Sequence, residues 1–280
     1  MYRLPSISVS NNLRRVVTAL LAAPLVLVLA YLGGWWFASL VAGIGVLGQR
    51  ELYGMARQTG ARPHRIGGGL IGILVVAAFL RPALWPLGAV GVLIFVVAAP
   101  LVVQADRFLV SFAVTVAGIV YPTGLLGSLV WLREARSAVV GNGEAFRLVL
   151  FVLLMVWATD VAAYYVGKTF GRRALAPSIS PNKTWEGTLG GLGAALTVGV
   201  LLKVALFDLL SWSHVAALIA LGGGVSQLGD LLESKLKRSV EVDDSSDLLP
   251  GHGGMLDRFD AMAVAAPLMV LYLHLIAKVV

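Results

Sequence analysis

Long apolar segments dominate the sequence, and short polar stretches separate them. A helix needs about 20 predominantly apolar residues to cross the hydrocarbon core of a bilayer. Nine segments of roughly this length predict membrane-spanning helices, near residues 16–32, 35–54, 66–80, 84–103, 108–132, 147–167, 187–206, 212–232 and 259–279. The pattern therefore predicts an all-α, polytopic integral membrane protein with about nine transmembrane helices.

The composition supports a membrane protein and excludes several kinds of site. Of 280 residues, 58% are hydrophobic and 13% are charged, whereas soluble domains have about 45–50% apolar and roughly 25% charged residues. These values leave no room for a large soluble domain, so we predict a single membrane domain over residues 1–280. The absence of cysteine excludes disulfides, thiolate metal sites and cysteine nucleophiles.

The basic residues predict the orientation of the helices. With nine spans, the N-terminus and the loops after helices two, four, six and eight lie on one side, and they hold 16 of the 22 Lys and Arg residues. The other side holds the remaining 6. By the positive-inside rule the first side is cytoplasmic, so we predict a cytoplasmic N-terminus. The net charge is +7. In so apolar a chain, we expect the basic residues to set the membrane topology and to contact anionic lipid head groups. We expect no nucleic-acid binding, because the sequence shows no basic stripe interleaved with aromatic residues.

Intramembrane carboxylates are concentrated in the second half of the chain. Residues 1–140 contain few charges inside their apolar runs, and we predict that these N-terminal helices form a scaffold, a lipid-facing surface or a dimer surface. Residues 147–280 carry Asp160, Asp230 and Asp257 within or at the ends of spans. Each carboxylate in the bilayer core costs ~2.5–3.5 kcal/mol. Interhelical salt bridges would explain one such residue, but three beside polar loops favour catalytic helices and cytoplasmic loops.

Helical spacing places polar residues together on two predicted helices. Intervals of four, seven and eight residues share one helix face, and they join Asp230, Ser234, Lys237 and Arg238. Asp160 is followed at intervals of four and eight by Tyr164 and Lys168. Asp257 opens the last helix, where the positive end of the helix dipole favours an anion. Carboxylates without cysteine or clustered histidine favour oxygen-liganded Mg²⁺.

Two predicted cytoplasmic loops carry the remaining polar chemistry. The first contains a run from Ser180 to Gly187 whose cation, hydroxyls and helix start suit a nucleotide phosphate. The second runs from Ser239 to Leu256 and holds His252 between glycines, which permit close backbone approach to a ligand. Glycine runs elsewhere, at 67–69, 190–193 and 222–224, could cradle phosphates, but close helix packing is the commoner explanation.

The polar motifs resemble a known family. The stretch from Ser234 to Asp260, with Leu249-Pro250-Gly251-His252-Gly253-Gly254 at its centre, is similar to the signature of phosphatidate cytidylyltransferases, also called CDP-diacylglycerol synthases. The Ser180–Gly187 loop and Asp160-x-x-Ala163-Tyr164 match the same family's pattern. Asn182 and Asp243 depart from it, because the family commonly has lysine at both positions.

The resemblance implies that CTP and phosphatidic acid react to give CDP-diacylglycerol and pyrophosphate, in a multi-pass protein of the cell's inner (plasma) membrane with a cytoplasmic active site. It implies Mg²⁺ held by Asp230 and Asp257, with Asp160 and Asp244 as further candidates. A second cation such as K⁺ is left open, and a homodimer is expected by resemblance only. We predict catalytic roles for Asp230, Asp257, Lys183, Arg238 and His252. Substrate contacts are predicted for Ser180, Asn182, Thr184, Glu186, Ser234, Lys237, Asp244 and Arg258.

Two other functions are compatible with intramembrane carboxylates. A CTP-dependent lipid-alcohol kinase would share the membrane setting and Mg²⁺, but it would transfer the terminal phosphate and leave CDP. A secondary transporter would also place acidic residues in the membrane, yet transporters typically show internal repeats and sites at the midplane. Here the polar residues gather in one half of the chain and at one predicted face.

Overall fold

Helices form most of the chain, as expected where backbone groups must be satisfied without water. The computed structural model describes residues 9–102, 107–206, 210–242, 244–246, 248 and 253–278. In these residues the helices are α1 (Val9–Leu32), α2 (Gly34–Gln58), α3 (Arg65–Leu80), α4 (Trp85–Val102), α5 (Phe108–Gly118), α6 (Leu125–Val140), α7 (Asn142–Phe170), α8 (Trp185–Leu206), α9 (Trp212–Ile219), α10 (Ser226–Arg238) and α11 (Leu256–Leu275). A two-stranded antiparallel hairpin, β1 (Ala174–Ala176) and β2 (Ser180–Thr184), joins α7 to α8.

Two pairs of these helices are continuous through a short π-helical segment. Ile119–Gly124 connects α5 to α6, and Ala220–Val225 connects α9 to α10. Each pair therefore acts as one long rod, and each corresponds to one predicted span. A π turn adds a residue to the helical repeat and rotates the face that follows, and such turns often occur at functional sites.

Five helical rods of the described chain are long and apolar enough to cross a membrane: Phe108–Ala135, Asn142–Phe170, Trp185–Leu206, Trp212–Arg238 and Leu256–Leu275. Leu20–Leu32, Arg65–Leu80 and Pro82–Phe95 are shorter apolar helices. The helix α2 is in neither group, since Gln49, Arg50 and Glu51 interrupt its apolar run. The predicted all-α class is thus supported apart from the hairpin, while the number nine and the orientation stay predictions.

The helix α7 forms the centre of the bundle. Its side chains Phe151, Val152 and Met155 are almost completely buried, and the helix contacts α1, α6, α8, α10 and α11. Many large apolar side chains of other helices are exposed instead, including Leu21, Trp36 and Ile66. An apolar surface of this extent suits contact with lipid or another membrane protein.

Glycines allow α8 to approach α7 closely. A Cβ atom at Gly191 would lie 3.0 Å from the Thr159 carbonyl oxygen, and one at Gly190 would lie 2.6 Å from Val166 Cβ. These contacts confirm that Gly190 and Gly191, in the glycine run at 190–193, serve helix packing. Because α7 and α8 are antiparallel neighbours, the C-terminal end of α7 and the start of α8 lie at the same end of the bundle.

A second close approach joins α10 to α11. A Cβ atom at Gly229 would lie 2.8 Å from Ala261 Cα and even closer to the Asp260 carbonyl oxygen. The two backbones are therefore in contact next to Asp230. Only glycine leaves space for this contact.

Substitution of Gly229 by alanine should destabilise the protein, because the added methyl group must push α10 away from α11. Overpacking of this kind costs about 1–3 kcal/mol, and the thermal denaturation midpoint in detergent should fall by several degrees. Gly193→Ala is the matched control, since a Cβ atom there meets nothing within 4 Å. An unchanged midpoint for Gly229→Ala would contradict the close approach.

Candidate active site

A polar cavity of about 850 Å³ opens at the end of the bundle where α7 and α10 end and α8 and α11 begin. The hairpin and residue Asp244 complete its wall. Its position follows from the antiparallel arrangement, which brings the polar ends of these helices together. The cavity collects the following predicted site residues: Asp160, Ser180, Asn182, Lys183, Thr184, Asp230, Ser234, Lys237, Asp244, Asp257 and Arg258.

An ion pair connects the hairpin to α10 across this cavity. The Lys183 ammonium, on β2, contacts the Asp230 carboxylate. Asp160, on α7, lies within electrostatic range of both groups and of Arg258. Its Oδ1 atom is buried and has no hydrogen-bond partner among the described residues. Asp160 and Asp230 therefore form an acidic pair that faces one lysine and retains oxygen atoms for another cation.

A second ionic cluster links α10 to the start of α11. Lys237 Nζ lies 2.7 Å from Glu233 and 2.7 Å from Asp257. Asp257 also accepts hydrogen bonds from Ser245 N–H (3.0 Å), Ser245 Oγ (2.7 Å) and Gly254 N–H (2.8 Å). The carboxylate of Asp257 is thus nearly saturated by protein donors, whereas Asp160 is not.

Gly253 lies close to two of the acids in the cavity wall, Asp244 and Asp257. Its φ angle is +76°, and a Cβ atom there would lie 3.1 Å from both Asp244 Oδ1 and Asp257 Oδ2. Glycine tolerates this left-handed conformation without steric cost. Gly253 therefore lets the chain pass close to two carboxylates.

Three predicted site residues are not found in the cavity wall: Glu186 and Arg238 lie outside it, and His252 lies outside the described residues. Glu186 accepts hydrogen bonds from the Arg172 and Arg173 backbone N–H groups (3.0 and 3.2 Å) and so holds the start of the hairpin. Arg238 is the last residue of α10 and does not line the cavity as described. His252 lies outside the described residues, as does Asp243, which differs from the lysine of the family pattern. Substrate contact by Glu186 and the roles of Arg238 and His252 stay predictions.

Thr184 combines a place in the wall with a structural contact. Its hydroxyl oxygen accepts a hydrogen bond from the Gly187 N–H (3.1 Å) at the start of α8. A Thr or Ser at this position satisfies one of the free N–H groups of a helix N-terminus. The hairpin and α8 are thereby joined at the residue that also faces the cavity.

Sequence reasoning did not single out Glu233, Gln227 or Glu51. Glu233 lines the cavity and precedes Lys237 by four residues, which is the helical spacing of an ion pair and would have identified it. Gln227 lies one turn before Asp230 on the same face. Glu51 has no local signal, because its contacts are with residues 194 to 205 positions away.

The arrangement limits how a metal could be held. In the described parts of the chain, no group of three or more His, Asp or Glu side chains is placed to hold an ion together. Mg²⁺ commonly uses one or two carboxylates together with substrate phosphates and water. The acidic pair Asp160 and Asp230 fits that mode, and the free oxygen of Asp160 is the observation that favours it.

Glu186→Ala should loosen the hairpin, because it removes the acceptor for two backbone N–H groups. Trypsin cleavage after Arg172, Arg173 and Lys183 should become several-fold faster in detergent, as measured by mass spectrometry of timed digests. Glu186→Gln keeps a carbonyl acceptor and should remain close to the unmodified protein. Equal cleavage rates for all three proteins would contradict this role.

Comparison with known proteins identifies the family. The model of the cytidylyltransferase family matches residues 13–276. Three relatives are named phosphatidate cytidylyltransferase. The one from Brucella melitensis is 35% identical over 94% of this chain and 93% of its own length, that from Synechocystis 33% over 95% and 98%, and that from Bacillus subtilis 31% over 94% and 97%. A match that spans both the helical bundle and the cavity residues shows that the chain belongs to the cytidylyltransferase family.

Proposed function

We propose that this chain is a phosphatidate cytidylyltransferase, which transfers the cytidylyl group of CTP to phosphatidic acid. One observation supports this most directly: a cavity rich in both carboxylates and cations opens at one end of an apolar bundle, in a chain of this family. A soluble nucleotide can reach such a site from water, while a lipid substrate keeps its acyl chains in the bilayer. The products are CDP-diacylglycerol and pyrophosphate.

The reaction is a displacement at phosphorus. A phosphate oxygen of phosphatidic acid attacks the α-phosphorus of CTP, and the bond from that phosphorus to the oxygen bridging to the β-phosphorus breaks. Pyrophosphate leaves with the electron pair of that bond. Transfers at phosphorus need in-line positioning and neutralisation of charge more than covalent help from the protein.

The hairpin supplies the contacts for the nucleotide phosphates. Lys183 offers a cation, Ser180 and Thr184 offer hydroxyl groups, and Asn182 offers an amide, all in the cavity wall. Lys183 is held by Asp230 before substrates bind. This ion pair keeps the ammonium in the cavity wall.

Lys237 and Arg258 are proposed to receive the lipid phosphate, since both line the cavity beside the start of α11. Ser234 lies between Asp230 and Lys237 on the same face of α10. Arg238 is proposed to offset charge on the leaving pyrophosphate, and His252 to contact phosphate or ribose. The lipid phosphate is already an anion near neutral pH, so no strong general base is required.

The charge of the cavity supports a requirement for Mg²⁺. Among the described residues its wall holds six carboxylates (Asp160, Asp230, Glu233, Asp244, Asp257, Asp260) and five cations (Lys168, Arg172, Lys183, Lys237, Arg258), a formal net charge of −1. CTP and a lipid phosphate add several negative charges. Asp230, with Asp160 or Asp257, would hold the ion, which when bound neutralises charge on the transferring phosphates. A second cation such as K⁺ is compatible with the remaining acids.

We further propose that the cavity faces the cytoplasm of the cell membrane and that all nine apolar segments span it. The end of the bundle that carries the cavity contains loops assigned to the cytoplasm by their Lys and Arg content. This orientation gives access to cytosolic CTP. A homodimer remains an expectation of the resemblance alone.

The position of the label transferred from CTP tests the reaction. Purified protein in detergent, with Mg²⁺ and phosphatidic acid, should move the α-phosphorus of CTP into the lipid fraction and release the β- and γ-phosphorus as pyrophosphate. Lys183→Met should lower kcat by about 10²–10³, the usual cost of one lost charge-stabilising contact. Glu144→Gln, which removes a carboxylate that pairs with Arg147 at the start of α7, is the matched control and should retain activity.

Two outcomes would contradict the proposed reaction. Transfer of the γ-phosphorus to a lipid alcohol, leaving CDP, would identify a CTP-dependent kinase instead. No lipid-dependent transfer of either label by monodisperse protein would exclude both enzymes.

Metal dependence gives a separate test of the acidic pair. Chelation of divalent ions should abolish the transfer, and added Mg²⁺ should restore it. Asp160→Asn should raise the Mg²⁺ concentration for half-maximal rate roughly tenfold or more, because loss of even an outer-shell partner lowers metal affinity about 10–100-fold. The Glu144→Gln control should keep the original value. An unchanged Mg²⁺ requirement in Asp160→Asn would show that Asp160 does not contribute to the ion's binding.

A further inference from the structure

Glu51, on α2, reaches from the N-terminal half of the chain to the start of α11. Its side chain is buried, at 7% exposure. It accepts hydrogen bonds from the backbone N–H groups of Met255 (2.9 Å) and Leu256 (2.7 Å). It also lies within hydrogen-bond distance of the hydroxyl groups of Ser245 (3.1 Å) and Ser246 (2.6 Å).

These contacts explain how a carboxylate can be buried there. A buried charge requires partners, and in the described residues Glu51 forms no ion pair. Its donors are instead two hydroxyl groups and the N-terminus of a helix, whose free N–H groups and dipole favour an anion. The helix α11 has no side-chain cap from its own N-cap residue. Glu51 therefore serves as the cap of α11 from a different helix.

Asp257 binds the same two parts of the chain as Glu51, namely Ser245 and the residues at the start of α11. Ser245 donates its N–H group to Asp257, and Gly254 donates another. The Ser245 hydroxyl lies 2.7 Å from Asp257 Oδ2 and 3.1 Å from Glu51 Oε2. One hydroxyl proton thus stands between two carboxylates, and the orientation of Asp257 depends on where Ser245 and the start of α11 are fixed.

Glu51 does not line the catalytic cavity. It lines a separate cavity of about 330 Å³, together with Ser245, Ser246, Arg50 and Arg65. Glu51 is therefore not placed in the wall where substrates would bind, and its influence on the reaction must pass through the residues that it holds.

We propose that Glu51 is a positioning residue, which fixes the orientation of the Asp257 carboxylate by holding Ser245 and the N-terminus of α11. The expected effect on the reaction rate rests on the proposed function. The hydrogen bonds of Glu51 to Ser245 and to the N-terminus of α11 do not depend on it. The N-terminal helices then contribute to catalysis as well as to packing. The chemical requirement is an acceptor with two oxygen atoms that can serve four donors at once.

Glu51→Gln tests this role, because the amide keeps the size of the side chain but loses one acceptor oxygen. We expect kcat to fall about 10- to 100-fold, the effect of a small misplacement of reacting groups, with a much smaller change in the KM for CTP. Hydrogen exchange of the substrate-free protein should become faster at the amides of Met255 and Leu256. Glu144→Gln is again the matched control for both measurements.

A double-mutant cycle with Ser245→Ala separates positioning from general destabilisation. If Glu51 acts on Asp257 through Ser245, the losses in kcat should be strongly non-additive. Faster exchange with unchanged kcat, additive losses, or unchanged exchange would each overturn the proposal. The exchange measurement is independent of turnover, so a protein without cytidylyl transfer would overturn the proposed function and leave the Glu51 contacts open to test.

Ser246→Ala keeps the proposal testable if Glu51→Gln does not fold. Ser246 contacts Glu51 through its hydroxyl and does not line the catalytic cavity. Its loss should cause a smaller decrease in kcat, with a thermal denaturation midpoint close to that of the unmodified protein. Unfolded Glu51→Gln together with fully active Ser246→Ala would show that Glu51 is only structural, and would overturn the positioning role.

Discussion

The site depends on one ionic interaction, in which the Lys237 ammonium lies between the Glu233 and Asp257 carboxylates. Three charged groups at the end of an apolar bundle cannot remain there without mutual compensation. Lys237 and Glu233 come from α10, whereas Asp257 comes from α11, so the ionic cluster joins two helices. Asp257 in turn accepts hydrogen bonds from the Ser245 and Gly254 N–H groups, which precede α11 in the chain.

The antiparallel course of the helices determines where this cluster can act. Helices α7 and α10 end, and α8 and α11 begin, at one end of the bundle, which brings their polar residues into one wall. Glycines at the α7–α8 and α10–α11 contacts reduce the separation of the backbones. Consequently the Asp160 and Asp230 carboxylates, from helices that are not neighbours in sequence, face the same lysine of the hairpin.

Sequence periodicity could predict the parts of the site that are local. Helical spacing predicted one shared face for Asp230, Ser234, Lys237 and Arg238; the first three line the cavity, whereas Arg238 does not. The polar residues Ser180 to Thr184 before α8 line the same cavity. The hairpin was not predicted because β1 has only three residues and β2 is polar, so neither strand shows an alternation of apolar and polar residues. Contacts of Glu51 could not be predicted, since they depend on how α2 packs against a loop nearly 200 residues away. The predicted span at 35–54 includes the polar residues Gln49, Arg50 and Glu51, and α2 is not among the five helices apolar enough to cross a membrane.

The contact at Gly229 has a consequence for how this architecture can diversify. Main-chain atoms of α10 and α11 touch there, so the spacing between the helices that carry Asp230 and Asp257 is set by backbone rather than by side-chain volume. Exposed apolar side chains elsewhere in the bundle, such as Leu21 on α1 and Leu93 on α4, can therefore change in size without altering the spacing of these two helices. A larger residue at position 229 would instead move one acid relative to the other, so variation in such a protein is restricted far more at this glycine than over its apolar surface.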